Sequence, residues 1–142
     1  MNDIQPPVYC RMPEWLDRYH TEVRKAPGTW MNCPYGILVP PKLWDSGEYL
    51  LPRYDLVRAH EEVHWVRMKN RPYISQWWWV VHYCISQEMA YREEILAYRL
   101  ELSLTTPDDV ESLAWFIECI SCDYGFHKTR EEITIDLTSK EY

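Results

Sequence analysis

The chain has no surplus of positive charge: across its 142 residues, 15 Lys and Arg stand against 22 Asp and Glu, a formal net charge of −7. General nucleic-acid binding needs a basic face to neutralise phosphates, so no nucleic-acid partner is expected. The first residues, Met1-Asn2-Asp3-Ile4-Gln5-Pro6-Pro7, hold neither a basic nor an apolar segment, and no signal peptide is read there. Long apolar runs are missing too. The longest, residues 77–85, is interrupted by His82 and is too short to span a bilayer, so no membrane partner is expected. There is no internal repeat and no low-complexity stretch. Five cysteines, an odd number without a secretory signal, fit reduced thiols in a soluble cytoplasmic protein. Phenylalanine is scarce, with 2 residues against 8 Trp and 11 Tyr. Rings with polar tips suit a small core or a partner surface.

What remains is globular. Apolar residues make up 46% of the chain, and the length suits one domain over residues 1–142. The pattern predicts an α+β fold. A short helix over 13–24 follows from Pro13 in a first turn and an apolar stripe of Trp15, Leu16, Tyr19 and Val23. Residues 36–39 read as a strand closed by Pro40-Pro41, placed at an edge because proline cannot donate to a ladder. An edge strand there could pair with an extended peptide; a core strand with an ordinary exit is the equal alternative. Residues 42–54 read as a loop. A helix then runs from an Asp55 cap to Lys69, ended by a left-handed Asn70 and by Pro72.

The stretch after Ser75 is expected to be helical, either continuous to 103 or broken near Ser86. Its Trp77, Trp78 and Trp79 cannot all face one core, so this region is a candidate protein-partner surface. Thr105-Thr106-Pro107-Asp108-Asp109 has the form of a helix start. The alternation of residues 132–138 predicts a final strand. Paired with residues 37–39, that strand would occupy a substrate cleft and hold an enzyme latent.

Chemistry concentrates at His60-Glu61-Glu62-Val63-His64, an H-E-x-x-H pattern within a helical stretch. In a shuffled chain of this composition the pattern would arise about 2% of the time, so an accidental histidine pair on a solvated helix is the bland alternative. Positions i and i+4 share a helix face, so the imidazoles of His60 and His64 can converge on one zinc ion. Glu61 lies beside the pair, where its carboxylate reaches a water acidified by the ion and serves as general base. Catalytic zinc usually takes a third protein ligand. His20, His82, His127 and several carboxylates are the candidates.

Glu94-Ile95-Leu96-Ala97 follows thirty residues after His64. With this E-x-x-A motif behind H-E-x-x-H, the chain over about residues 36–102 resembles the gluzincin zinc metallopeptidases, in particular small, minimal-domain ones. The resemblance implies a zincin-like domain, with a short, mostly antiparallel sheet packed on helices. It implies His60, His64 and Glu94 as zinc ligands, Glu61 as base, Ala97 where the two helices approach closely, and a peptide or protein as substrate. One position departs from the pattern: Tyr98 stands where many such enzymes have Asp or Asn to orient a ligand histidine. Glu93 is the rival third ligand and Glu88 a weaker one. Tyr98, Tyr124, His82 and His127 are candidates to stabilise an oxyanion.

Other signals are weaker. Cys119 and Cys122 form a C-x-x-C inside a predicted helix, which with His127 could hold a structural zinc but by default is a pair of buried thiols. Arg67, Lys69 and Arg71 suit a helix C-terminus. Two further function classes stay open: a zincin-like binding or regulatory protein with little hydrolytic activity, and a helical protein with structural zinc or none.

Overall fold

A computed structural model of the chain describes residues 5–104, Ala114 and residues 128–139. The chain divides into two compact units, Met1–Val81 and His82–Tyr142. Among the described residues there are helices and one small mixed sheet, an α+β protein.

The first unit is built on three strands, β1 (Tyr9–Arg11), β2 (Met31–Cys33) and β3 (Gly36–Val39), in the order β1-β3-β2. β3 is central rather than an edge. β1 pairs with it in parallel, Tyr9 opposite Ile37, and β2 antiparallel, Asn32 opposite Ile37. Of the two pairings one is parallel, so the sheet is mixed and not mostly antiparallel. Pro40 does not mark an edge. It closes the strand because the chain turns at once into a short helix, Pro41–Ser46, in which Pro41 takes a first-turn position. Gly36 is required by close approach: a Cβ there would lie 2.6 Å from Cys10 Sγ and 3.0 Å from the Val8 carbonyl oxygen.

Strand periodicity sorts side chains onto two faces. Met12, Cys33 and Leu38 form a buried cluster on one, joined by Cys10, Leu16 and Met31. The other face carries Tyr9, Asn32 and Ile37. In chain order the helices are α1 (Glu14–Arg18), α2 (Pro41–Ser46), α3 (Asp55–Lys69) and α4 (Tyr73–Ile85), the last carrying residues of both units. Hydrogen bonds from Tyr9 and Asn32 fix α3 against that second face of the sheet.

Further sequence expectations need correction in this unit. The stripe of Trp15, Leu16, Tyr19 and Val23 is not a buried face: only Leu16 packs on the core, and Trp15, Tyr19 and Val23 are exposed. After Arg18 the chain makes a π-turn over Tyr19–Val23, with Arg24 N–H donating to Tyr19 O. The extra residue in the turn changes which side chains face inward, and His20 is buried instead. Residues 42–54 are not a plain loop but hold most of α2 and two 3₁₀ turns, Glu48–Leu50 and Pro52–Tyr54. Finally, α3 has the expected extent, but Tyr54 is its cap, with Asp55 the first helical residue, and Asn70 stays right-handed.

In the second unit α5 (Gln87–Leu104) follows a break at Ser86, whose hydroxyl accepts from Met89 N–H at 3.2 Å and so caps the new helix. Its stripe of Tyr91, Ile95, Tyr98 and Leu102 packs with Ala114 and with Ile133 and Leu137 of α6 (Arg130–Thr138). That segment is a helix, not the expected strand. Ile133 and Leu137 are spaced i, i+4, which serves either period, and Ile135 between them is exposed. Thr129 caps the helix, accepting from Glu132 N–H at 3.2 Å. Residues 130–138 are helical and β3 pairs with β1 and β2, so the strand pairing expected of a latent enzyme is not formed. The expected helix start at 105–109, Tyr124, His127 and the Cys119–Cys122 motif lie outside the described residues.

No helix among the described residues is long and apolar enough to cross a membrane.

Candidate metal centre

α3 presents different functions on successive residues because a helix turns about 100° per residue. His60 and His64, one turn apart, are both buried. Their Nε2 atoms face each other at 3.2 Å, with the rings edge-to-face and centroids 4.9 Å apart. Trp79, 3% exposed, stands 6.1 Å from the His64 ring centroid and walls that side from water.

The donor separation tests whether an ion suits this pair. Two Zn–N bonds of about 2.0–2.1 Å at a tetrahedral angle place their nitrogens about 3.3–3.4 Å apart. The observed 3.2 Å fits. Without an ion, the same spacing suits one N–H···N hydrogen bond between neutral rings.

Glu61, the residue next to His60, has its carboxylate held from β2. Asn32 Nδ2 donates to its Oε2 at 2.8 Å and to its main-chain oxygen at 3.2 Å. Glu62 turns towards β1, where the Tyr9 hydroxyl donates to its Oε1 at 2.6 Å. Burial, then the bond to Glu62 and its negative charge, push the Tyr9 hydroxyl well above the usual phenol range. Asn32 and Tyr9 carried no signal in the sequence. They lie 29 and 53 residues from their partners, and only strand register brings them there.

Glu94 belongs to the second unit. It is half-buried on α5 and accepts a hydrogen bond from the Tyr83 hydroxyl. Its rival Glu93 is 2% exposed, while Glu88 is exposed and lies 3.9 Å from Arg92 in an i, i+4 pair. Ala97 is fully buried, and Tyr98 packs into the α5–α6 core. Arg99 is engaged with the Asp136 carbonyl. His82 is half-buried, and His20 is buried in the π-turn of the first unit.

Compared with protein-family models, with curated proteins and with solved structures, the chain finds no match.

Proposed function

We propose that this protein is a zinc-dependent metallopeptidase of zincin-like build, with His60, His64 and Glu94 as ligands and Glu61 as general base. The observation that carries the reading is the facing pair of buried imidazoles on α3, with a carboxylate on the next residue braced by Asn32. Two imidazoles and one carboxylate, each offering one ligand atom, make up the donor set of a catalytic zinc site that keeps a position for water. A bound zinc ion supplies Lewis acidity and an acidified water.

The chain's own groups do the rest. Glu61 takes a proton from the attacking water and returns it to the leaving amine as the C–N bond breaks. β2 supports a peptide as the substrate. Among the described residues no strand pairs with its outer side, and its Asn32 touches Glu61. An extended peptide laid along that edge would run past the base. The edge role expected of residues 36–39 thus passes to β2. Among the described residues Cys10 and Cys33 form no disulfide, which suits a reducing, cytoplasmic setting.

A second reading, a zincin-like binding protein, draws on α4, where Ile74 and Trp78 are 83% and 58% exposed. One experiment separates the two. Tag-free protein is assayed for metal by elemental analysis and for cleavage of a peptide library, beside His64→Ala, Glu94→Ala and Glu61→Gln. The peptidase reading expects about one zinc per chain, lost in the first two variants. It also expects cleavage abolished in Glu61→Gln with zinc retained. Zinc kept in Glu94→Ala moves the third ligand to Glu93 or a histidine. Zinc without cleavage of any peptide favours the binding protein.

A further inference from the structure

Beside the histidine pair stands a side chain that packing does not explain. Asn32 sits in the middle of β2, opposite Ile37 and on the face turned towards α3. It is 6% exposed. Both of its contacts to α3 go to one residue: Nδ2 reaches Glu61 Oε2 at 2.8 Å and Glu61 O at 3.2 Å. A primary amide has two N–H donors, and here each faces an oxygen of Glu61.

The third polar atom makes the arrangement informative. Asn32 Oδ1 is buried and has no hydrogen-bond partner among the described residues. Turning the amide over would give Oδ1 no relief, because it would then face the carboxylate and the carbonyl, acceptor against acceptor. An apolar residue at this place would fill the space without an unmet amide oxygen, at the cost of the donor to Glu61. The amide is therefore accounted for by what it does to Glu61.

Glutamate has three side-chain torsions, and a base works only when its carboxylate is held close to the productive geometry. Two bonds to the carboxylate and the backbone of the same residue hold it so. We propose that Asn32 is a positioning residue that fixes the Glu61 carboxylate for proton transfer. The proposal rests on the metallopeptidase reading.

The test uses the full-length protein and the variants Asn32→Ala and Asn32→Asp. Each is measured for zinc per chain and for kcat and KM on a peptide that the wild type cleaves. Removal of an outer-shell partner lowers activity by about 10- to 100-fold. For Asn32→Ala that loss should fall on kcat, with KM and zinc content held. Asn32→Asp should be worse than Asn32→Ala, because it sets a carboxylate against a carboxylate. A packing role predicts the reverse order, since Asp is the closer match in shape.

The contact itself is read without turnover. In ¹⁵N-labelled protein one Asn32 side-chain amide proton should be shifted downfield and exchange slowly, and Glu61→Ala should remove both features. Absence of that signature, or Asn32→Asp as active as the wild type, overturns the proposal while leaving the peptidase reading standing. A wild type that binds zinc, shows the amide signature and cleaves no peptide overturns the peptidase reading and, with it, the role assigned to Asn32.

Discussion

The Tyr9 hydroxyl on β1 donates to Glu62 Oε1 on α3 at 2.6 Å, tying the parallel edge strand to the helix that carries the histidine pair. Tyr9→Phe keeps the ring, and its edge contact with Trp30, but leaves a half-buried carboxylate without this donor. A hydrogen bond to a charged group contributes about 1.5–3 kcal/mol, and partial exposure puts this one at the lower end. Urea unfolding at neutral pH should show a loss of about 1–2 kcal/mol, and Glu62→Gln combined with Tyr9→Phe should lose less than the sum.

The same pair sets an alkaline limit. Because the folded protein holds the Tyr9 proton more tightly than the unfolded chain, its contribution is fully present below pH 10.0, the ordinary tyrosine value. It declines as pH rises above that, when the unfolded state alone gives up the proton. Unfolding free energy measured from pH 8 to 11 should fall less steeply in Tyr9→Phe than in wild type. Equal slopes would remove Tyr9 as the cause.

His20 works in the opposite direction at the acid end. It is buried by the π-turn, neither ring nitrogen has a partner among the described residues, and burial, then the nearby Arg24 charge, hold its proton affinity below the usual histidine range. The unfolded chain therefore binds a proton that the folded one refuses. Stability from this site is present above pH 6.5 and is lost as pH falls below it. His20→Gln cannot take up that proton in either state. The drop in urea midpoint between pH 7.5 and pH 5 should be smaller in the variant, and an unchanged drop would place the acid sensitivity elsewhere.

The extent of α3 and the break at Ser86 were legible because each is written locally. A 3.6-residue period, a proline beyond the end and a capping hydroxyl lie within a few positions of what they determine. The strand at 36–39 was legible for the same reason, but its place at the centre of the sheet was not. That depends on β1, which pairs with it from 28 residues away (Tyr9 with Ile37). The tail misleads because Ile133, Ile135 and Leu137 fit a period of two, while Thr129 and Glu132 already form a T-x-x-E capping pair. At the candidate metal centre the histidine pair was visible as spacing. The brace of Glu61 was not, since nothing near Asn32 in the chain refers to α3.

That capping pair yields its own prediction. Thr129 Oγ1 satisfies Glu132 N–H, one of the donors that the first turn of α6 leaves without a helical partner. Thr129→Ala should destabilise the protein by about 1 kcal/mol, and Thr129→Ser should recover most of it. Hydrogen exchange at Glu132 N–H reads the local effect. If the alanine variant leaves both that exchange and the unfolding midpoint unchanged, the cap contributes nothing.

Gly36 poses the sharper packing question. Any side chain there meets Cys10 Sγ, whose virtual Cβ distance of 2.6 Å is far inside contact, and the Val8 carbonyl at 3.0 Å. The thiol can swing away, but the carbonyl belongs to the β1–β3 ladder, where it accepts from Ile37 N–H at 2.7 Å. Overpacking of this kind costs about 1–3 kcal/mol. Gly36→Ala should lose that much in urea unfolding, and adding Cys10→Ala should return part of it but not all. Full recovery in the double variant would mean that the thiol was the whole obstacle. No recovery would assign the cost to the carbonyl and the ladder, and would make the close approach of β1 to β3 the reason that position 36 is glycine.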